Sequence, residues 1–227
     1  MKISGIEKFS MVDYGEKIVC TVFTPGCNFR CPFCHNAALV LGGGEEIQEN
    51  EVMAYLKKRR GLLDAVCISG GEPTLQKDLA EFCHKVKSLG YPIKLDTNGS
   101  FPDVVKKLYQ EKLIDYVAMD IKNSLSKYSV TAGVLTEISA VAETAAFLMS
   151  SGIGYEFRTT LVNGYHTMAD IWEIGNWLSG AKRYFLQKFT DKGSCLQEGL
   201  TEIPKDKAEE FRRLLACYVE QVELRGY

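Results

Sequence analysis

From Lys17 onward, short runs of β-branched and apolar residues alternate with stretches whose apolar residues recur at helical spacing. That alternation predicts an α/β fold of repeated β/α units around a parallel sheet, a partial (β/α)6 TIM-like barrel. The six predicted strands are 17–24, 65–69, 93–96, 116–121, 154–161 and 184–189. A helix capped by Asn50 and stopped near Gly61 follows the first, and one from about residue 76, with Leu79, Phe82, Cys83, Val86 and Leu89 inward, follows the second. Helices over 102–112, around Ile138, Val141, Ala145 and Leu148, and around Met168, Ile171, Ile174 and Leu178 come next, and one over about 204–224 closes the chain. The stretches 39–48 and 191–203 fit no element and are read as mobile loops.

Strand residues alternate between faces, so the pattern also says which side chains share a surface. Tyr116, Ala118, Asp120 and Lys122 fall on one face and Val117, Met119 and Ile121 on the other; Glu156, Arg158 and Thr160 oppose Tyr155, Phe157 and Leu161. The apolar faces suit packing against helices. The polar faces must then point inward, where charge without a partner is costly, so this interior is expected to be a site.

Composition narrows the class. At 227 residues, 46% apolar and 25% charged, the chain reads as one globular domain over 1–227. A net charge of −2 offers no general attraction to nucleic acid or anionic membranes. With no apolar run long enough to span a bilayer and no secretory layout in residues 1–10, a cytoplasmic location is expected.

Three of the eight cysteines, Cys27, Cys31 and Cys34, lie in the loop 25–36 after the first predicted strand. In a reducing compartment such a group points to metal before disulfides. Three thiolates suit a 4Fe-4S cluster with one iron left open to chelate a substrate; the alternative is zinc, with His35 completing a tetrahedron. Of the rest, Cys20, Cys67, Cys83 and Cys217 read as apolar filler on strands and helices, and Cys195 as the one to test for redox chemistry. His84 and His166 read as a solvated helix position and a loop residue.

The CxxxCxxC spacing with Phe33 before the last cysteine resembles the radical S-adenosylmethionine (SAM) superfamily. Gly70, Gly71, Glu72 and Pro73, just past the second strand, resemble its Gly-Gly-Glu motif, which implies glycines that let backbone approach the methionyl end of SAM and an acid that accepts from its amine. A narrower resemblance, over about 10–189, is to the activases of glycyl-radical enzymes. It rests on Val12-Asp13-Tyr14-Gly15, Gly26-Cys27-Asn28-Phe29-Arg30-Cys31, Cys34-His35-Asn36, Asp96-Thr97-Asn98-Gly99 and Asp120-Ile121-Lys122. Tyr14 and Ala37 depart from that pattern, which usually has glycine and often has proline there.

The resemblance implies a 4Fe-4S cluster on Cys27, Cys31 and Cys34, and a SAM pocket lined by Gly70, Gly71, Glu72, Asp96, Asn98, Asp120 and Lys122. Arg158 would hold the methionyl carboxylate and Val162 would contact adenine through its backbone, with Gln187 and Phe189 as further adenine candidates. It also implies a monovalent cation, for which Asp96, Thr97 and Asp120 could supply oxygens. The implied partners are a glycyl-radical enzyme and a flavodoxin or ferredoxin, with no nucleic acid or membrane. Reductive cleavage of SAM would give a 5′-deoxyadenosyl radical that abstracts hydrogen from the partner's glycine. The anaerobic ribonucleoside-triphosphate reductase type fits the short length best; a pyruvate formate-lyase activase, a radical SAM synthase of a small molecule, and a non-catalytic electron-transfer or zinc protein are the alternatives. Locally, Asn98-Gly99 also reads as a tight turn, Asp120 with Lys122 as an ion pair, and Arg158 as a partner for Glu156 or Asp120.

Overall fold

The computed structural model describes residues 1–44, 46–191 and 193–227; the expectations for 39–48 and 191–203 fall in part on Glu45 and Lys192, outside the described residues. In chain order the elements are β1 (Gly5–Ser10), β2 (Val19–Thr24), α1 (Ala37–Val40), α2 (Glu49–Lys58), β3 (Ala65–Gly70), α3 (Leu79–Ser88), β4 (Ile93–Thr97), α4 (Pro102–Gln110), β5 (Tyr116–Asp120), α5 (Tyr128–Ala132), α6 (Ile138–Ser151), β6 (Gly154–Leu161), α7 (Met168–Trp177), β7 (Arg183–Lys188), α8 (Lys205–Leu215) and β8 (Gln221–Arg225). The strand order follows chain order. Strands β2 to β7 are the six that the apolar pattern predicts.

The residues group into two compact units, one of 1–28, 38–97 and 101–117, the other of 29–37, 98–100 and 118–227. In the first, β1 pairs antiparallel with β2, and β2 with β3 and β3 with β4 pair in parallel. Strand β3 is buried continuously from Ala65 to Ile68, as a parallel strand covered on both faces must be. Leu56 of α2 and Phe82 and Val86 of α3 are also fully buried, each contributing on the order of 1.5–3 kcal/mol. In the second unit β6, β7 and β8 pair in parallel. Tyr155, Phe157 and Leu161 are buried together, and the Phe157 ring lies 5.2 Å from Tyr155 and 6.2 Å from Tyr184.

Three expectations need correction. Helix α8 ends at Leu215, and 221–225 is a strand, so no helix runs over 204–224. The buried positions Ala208, Phe211, Leu215, Val219 and Val222 keep helical spacing across the break, which hides it. Helix α2 starts at Glu49, after an extended Gln48, so Asn50 lies in its first turn and does not cap it. Glu49 itself ion-pairs with the Met1 amine and, at 2.7 Å, with Lys85, a tertiary preference that local cap statistics do not contain. Cys217 is exposed in the turn after α8, unlike Cys20, Cys67 and Cys83, which are buried filler as read. No helix among the described residues is long and apolar enough to cross a membrane.

Candidate functional site

In the first unit, the strand ends of β2, β3 and β4 carry Cys27, Gly70, Gly71, Glu72, Asp96 and Thr97. Thr24 and Gly70 are register partners, and beyond them the chain segments stay stapled: Gly71 N–H donates to Thr24 O at 2.9 Å and Glu72 N–H to Gly26 O at 2.8 Å. Gln76 Nε2 donates to Pro25 O at 2.9 Å. A Cβ on Gly71 would sit 1.9 Å from Gly26 O, and one on Gly70, at φ +126, 2.3 Å from Thr24 N. The glycine pair therefore serves the close approach of the cysteine loop, a role that the resemblance alone does not show.

Glu72 follows directly and is buried. Its Oε1 accepts from Thr74 N–H at 3.1 Å, from the Thr74 hydroxyl, and from the Thr97 hydroxyl at 2.8 Å. Asp96, at the end of β4, takes Lys94 Nζ on Oδ1 at 2.5 Å and Ser69 Oγ on Oδ2 at 3.1 Å.

In the second unit the rest of the cysteine loop is held from several sides. Cys34 N–H donates to Cys31 O at 3.0 Å, Arg30 N–H to Ala132 O at 2.8 Å, and Gln197 N–H to Pro32 O at 3.0 Å. Gly133, at φ +70, lies so close that a Cβ there would be 2.1 Å from Arg30 O. Phe29 packs edge-on against Tyr128, and Phe33 against Tyr165 and His166. The Cys31 side is buried and Cys34 is half-buried. His35, the fourth ligand in the zinc alternative, stacks on Phe189 with centroids 5.4 Å apart.

Asp120 sits between two cations: Lys122 Nζ donates to Oδ2 at 3.0 Å and Arg158 Nε to Oδ1 at 2.9 Å. Burial alone would raise the Asp120 carboxyl, but the charges and hydrogen bonds of Arg158 and Lys122 outweigh it and hold the group at about 2. For Lys122, burial would lower the ammonium, and the nearby Asp120 and Cys31 instead raise it well above its ordinary value. Lys122 therefore stays charged near a cysteine sulfur. Glu156 pairs at 3.4 Å with Arg225, delivered by the unpredicted β8.

The tight-turn reading of Asn98-Gly99 has a geometric basis. Asn98 Oδ1 accepts from Ser100 N–H at 2.9 Å and from its hydroxyl at 2.5 Å, a tight turn with Gly99 at φ +78. Val162 is buried in the turn after β6, and its N–H donates to His166 Nδ1 at 3.1 Å. His166 Nε2 meets Lys122 O at 2.9 Å. A carbonyl only accepts, so the ring is neutral with its proton on Nε2. His166 is thus not the plain loop residue expected; it ties the backbone of Lys122 to that of Val162.

No disulfide joins any of the eight cysteines. Among the described residues no three His, Cys, Asp or Glu side chains converge to seat a single metal ion. A 4Fe-4S cluster is not a single ion, and the donors it takes are thiolates. Three cysteines on one loop, pinned by backbone hydrogen bonds on both sides of Cys27 and Cys31, are a donor set that fits it.

The family model for the radical SAM superfamily matches residues 21–178. A protein of Methanocaldococcus jannaschii, named "Putative glycyl-radical enzyme activating enzyme", is 32% identical over 98% of this chain and 95% of its own length. The chain belongs to the radical SAM superfamily, in its family of glycyl-radical enzyme activases. A pyruvate formate-lyase-activating enzyme of Listeria monocytogenes is 34% identical over 53% of each chain. The crystal structure of Streptococcus suis SuiB bound to precursor peptide SuiA aligns with a TM-score of 0.72 at 14% identity, covering 92% of this chain and 48% of SuiB. That likeness establishes a shared fold, the partial TIM-like barrel of radical SAM proteins. As a radical SAM activase the chain is an enzyme that uses a 4Fe-4S cluster and SAM.

Proposed function

We propose that this activase serves an anaerobic ribonucleoside-triphosphate reductase in the cytoplasm, with a flavodoxin or ferredoxin as electron donor. The observation that supports the activase reading is the match to a protein named as a putative glycyl-radical enzyme activating enzyme, which spans almost the whole of both chains; the choice of the reductase as partner rests on the resemblance. Cys27, Cys31 and Cys34 hold the cluster. With one electron from the donor, the bound group would supply cleavage of the S–C5′ bond of SAM to methionine and a 5′-deoxyadenosyl radical, whose uptake of a hydrogen atom from a glycine of the partner would leave 5′-deoxyadenosine and a glycyl radical.

The chain's own residues bind and orient. Gly70 and Gly71 keep the loop bearing Cys27 against the turn that ends in Glu72. Glu72, pre-oriented by Thr74 and Thr97, accepts from the amine of SAM. Arg158 takes the methionyl carboxylate, with its guanidinium plane braced through Nε by Asp120; Asp96 in the first unit, Asn98 and Lys122 in the second, and Val162 toward adenine are the further SAM-binding residues that the resemblance implies. The fixed charge of Lys122 near Cys31 favours the anionic thiolate that a cluster needs.

The test is anaerobic incubation of the reduced, cluster-loaded chain with SAM and a candidate reductase, read by electron spin resonance. A glycyl-radical signal that requires the intact reductase glycine is the expected result. SAM cleavage with no radical on the reductase, and turnover instead with pyruvate formate-lyase or a small molecule, would overturn the partner assignment.

A further inference from the structure

Lys94 is 1% exposed, in a strand where such burial of an ammonium demands compensation. It lies two residues before Asp96 and therefore on the same face of β4. Its Nζ is 2.5 Å from Asp96 Oδ1, while Ser69 Oγ holds Oδ2 at 3.1 Å. On either side of it on β4, Ile93 and Leu95 are fully buried, and Cys67, its partner on β3, is fully buried as well. The whole side chain is thus enclosed, with its ammonium turned to Asp96.

This arrangement does not fit the monovalent cation that the resemblance implies at Asp96, Thr97 and Asp120. A hard cation needs anionic and neutral oxygens turned toward it. The Asp96 carboxylate is already turned to an ammonium at hydrogen-bond distance, and the Thr97 hydroxyl donates to Glu72 at 2.8 Å. In the other unit both Asp120 oxygens face cations, Lys122 and Arg158. A further bound cation beside Asp96 would meet the Lys94 charge at close range.

We infer that Lys94 supplies, as a built-in side chain, the positive charge that a bound monovalent cation would bring to Asp96, so that SAM binding by this chain is independent of potassium and sodium. The inference rests on the reading that Asp96 lines the SAM pocket. Lys94 acts through Asp96 and is a positioning residue.

The test measures SAM affinity of the cluster-loaded protein, and its melting temperature without SAM, in tetramethylammonium, sodium and potassium chloride at a constant ionic strength of about 0.1 M. Wild type is expected to show the same affinity, within about twofold, and the same melting temperature in all three salts. Lys94→Met, which keeps the stem and removes the charge, is expected to lose about tenfold or more in affinity in tetramethylammonium and to regain much of it, with a higher melting temperature, in potassium or sodium. Lys94→Gln replaces it if the methionine variant does not fold. A saturable rise of wild-type affinity or melting temperature with potassium or sodium would overturn the inference, as would a Lys94→Met protein that binds SAM normally in tetramethylammonium. Failure to bind SAM in every salt counts against the pocket assignment, while the melting series still decides the cation question.

Discussion

Replacing Gly71 with alanine tests how closely the cysteine loop depends on the turn after β3. The new Cβ would stand 1.9 Å from Gly26 O, 2.5 Å from Gly26 C and 3.3 Å from Cys27 N. A carbon-to-oxygen contact relaxes only near about 3.3 Å, so the two segments must part by about 1.4 Å. That movement breaks the Glu72 N–H to Gly26 O bond, which now measures 2.8 Å. Overpacking of this kind costs about 1–3 kcal/mol and the lost hydrogen bond about 1 kcal/mol, which together lower the melting temperature by roughly 4–16 °C in a chain of this size. Displacement of Cys27 by about an ångström also removes a ligand from its working geometry. The assays are thermal melting of the apoprotein, iron per chain after anaerobic reconstitution, and 5′-deoxyadenosine formed after reduction. Gly180→Ala is the control: its φ is +87 but nothing lies within 4 Å of the added Cβ, so it carries backbone strain alone. A Gly71→Ala protein with wild-type iron, wild-type SAM cleavage and a melting temperature no lower than that of Gly180→Ala would refute the reasoning.

Two further predictions concern charge and protons. Asp120 has its carboxyl held at about 2 in the fold, below its unfolded value, so its contribution is present above that unfolded value and lost as pH falls from about 4 towards 2. The worth is about 2 kcal/mol, and denaturant melts at pH 5 and pH 3 should show a smaller difference in Asp120→Asn, which is itself destabilised because Lys122 and Arg158 lose their counterion. His166 is lowered chiefly by burial, so the unfolded chain takes up its proton first: stability is full above the unfolded value near about 6.5 and falls as pH drops through that value towards the folded one. His166→Gln should be less stable at pH 7.5 by about 1–3 kcal/mol yet lose less than wild type on going to pH 5.5; equal pH sensitivity in the two proteins would contradict the neutral tautomer.

Much of the fold is legible because parallel strands leave a strong local mark. Gly154–Leu161 reads directly as a strand from its residues, and the helix faces of α3 and α6 read from spacing. Strand β1 escapes because Glu7, Lys8 and Phe9 are all exposed and give no alternation, and β8 hides behind helical spacing that outlasts the helix. At the site, the three cysteines and the Gly-Gly-Glu turn are visible because chemistry and backbone geometry both act on neighbours in sequence. Gly133 and His166 are not, since what gives them a role, Arg30 O for one and Lys122 O with Val162 N–H for the other, is fixed by tertiary packing. Lys94 was within reach: the same two-residue alternation that groups Asp120 with Lys122 groups Lys94 with Asp96, and only its near-complete burial shows the pair's consequence.

The measurement that tests the central claim most directly is anaerobic reconstitution with iron and sulfide, reduction with dithionite, addition of SAM, and quantification of 5′-deoxyadenosine for wild type and Cys31→Ala. Cleavage by wild type that is absent from Cys31→Ala, with a correctly folded variant by circular dichroism, is the predicted result. An intact, reducible wild-type cluster that leaves SAM uncleaved, or equal cleavage by Cys31→Ala, would contradict the account.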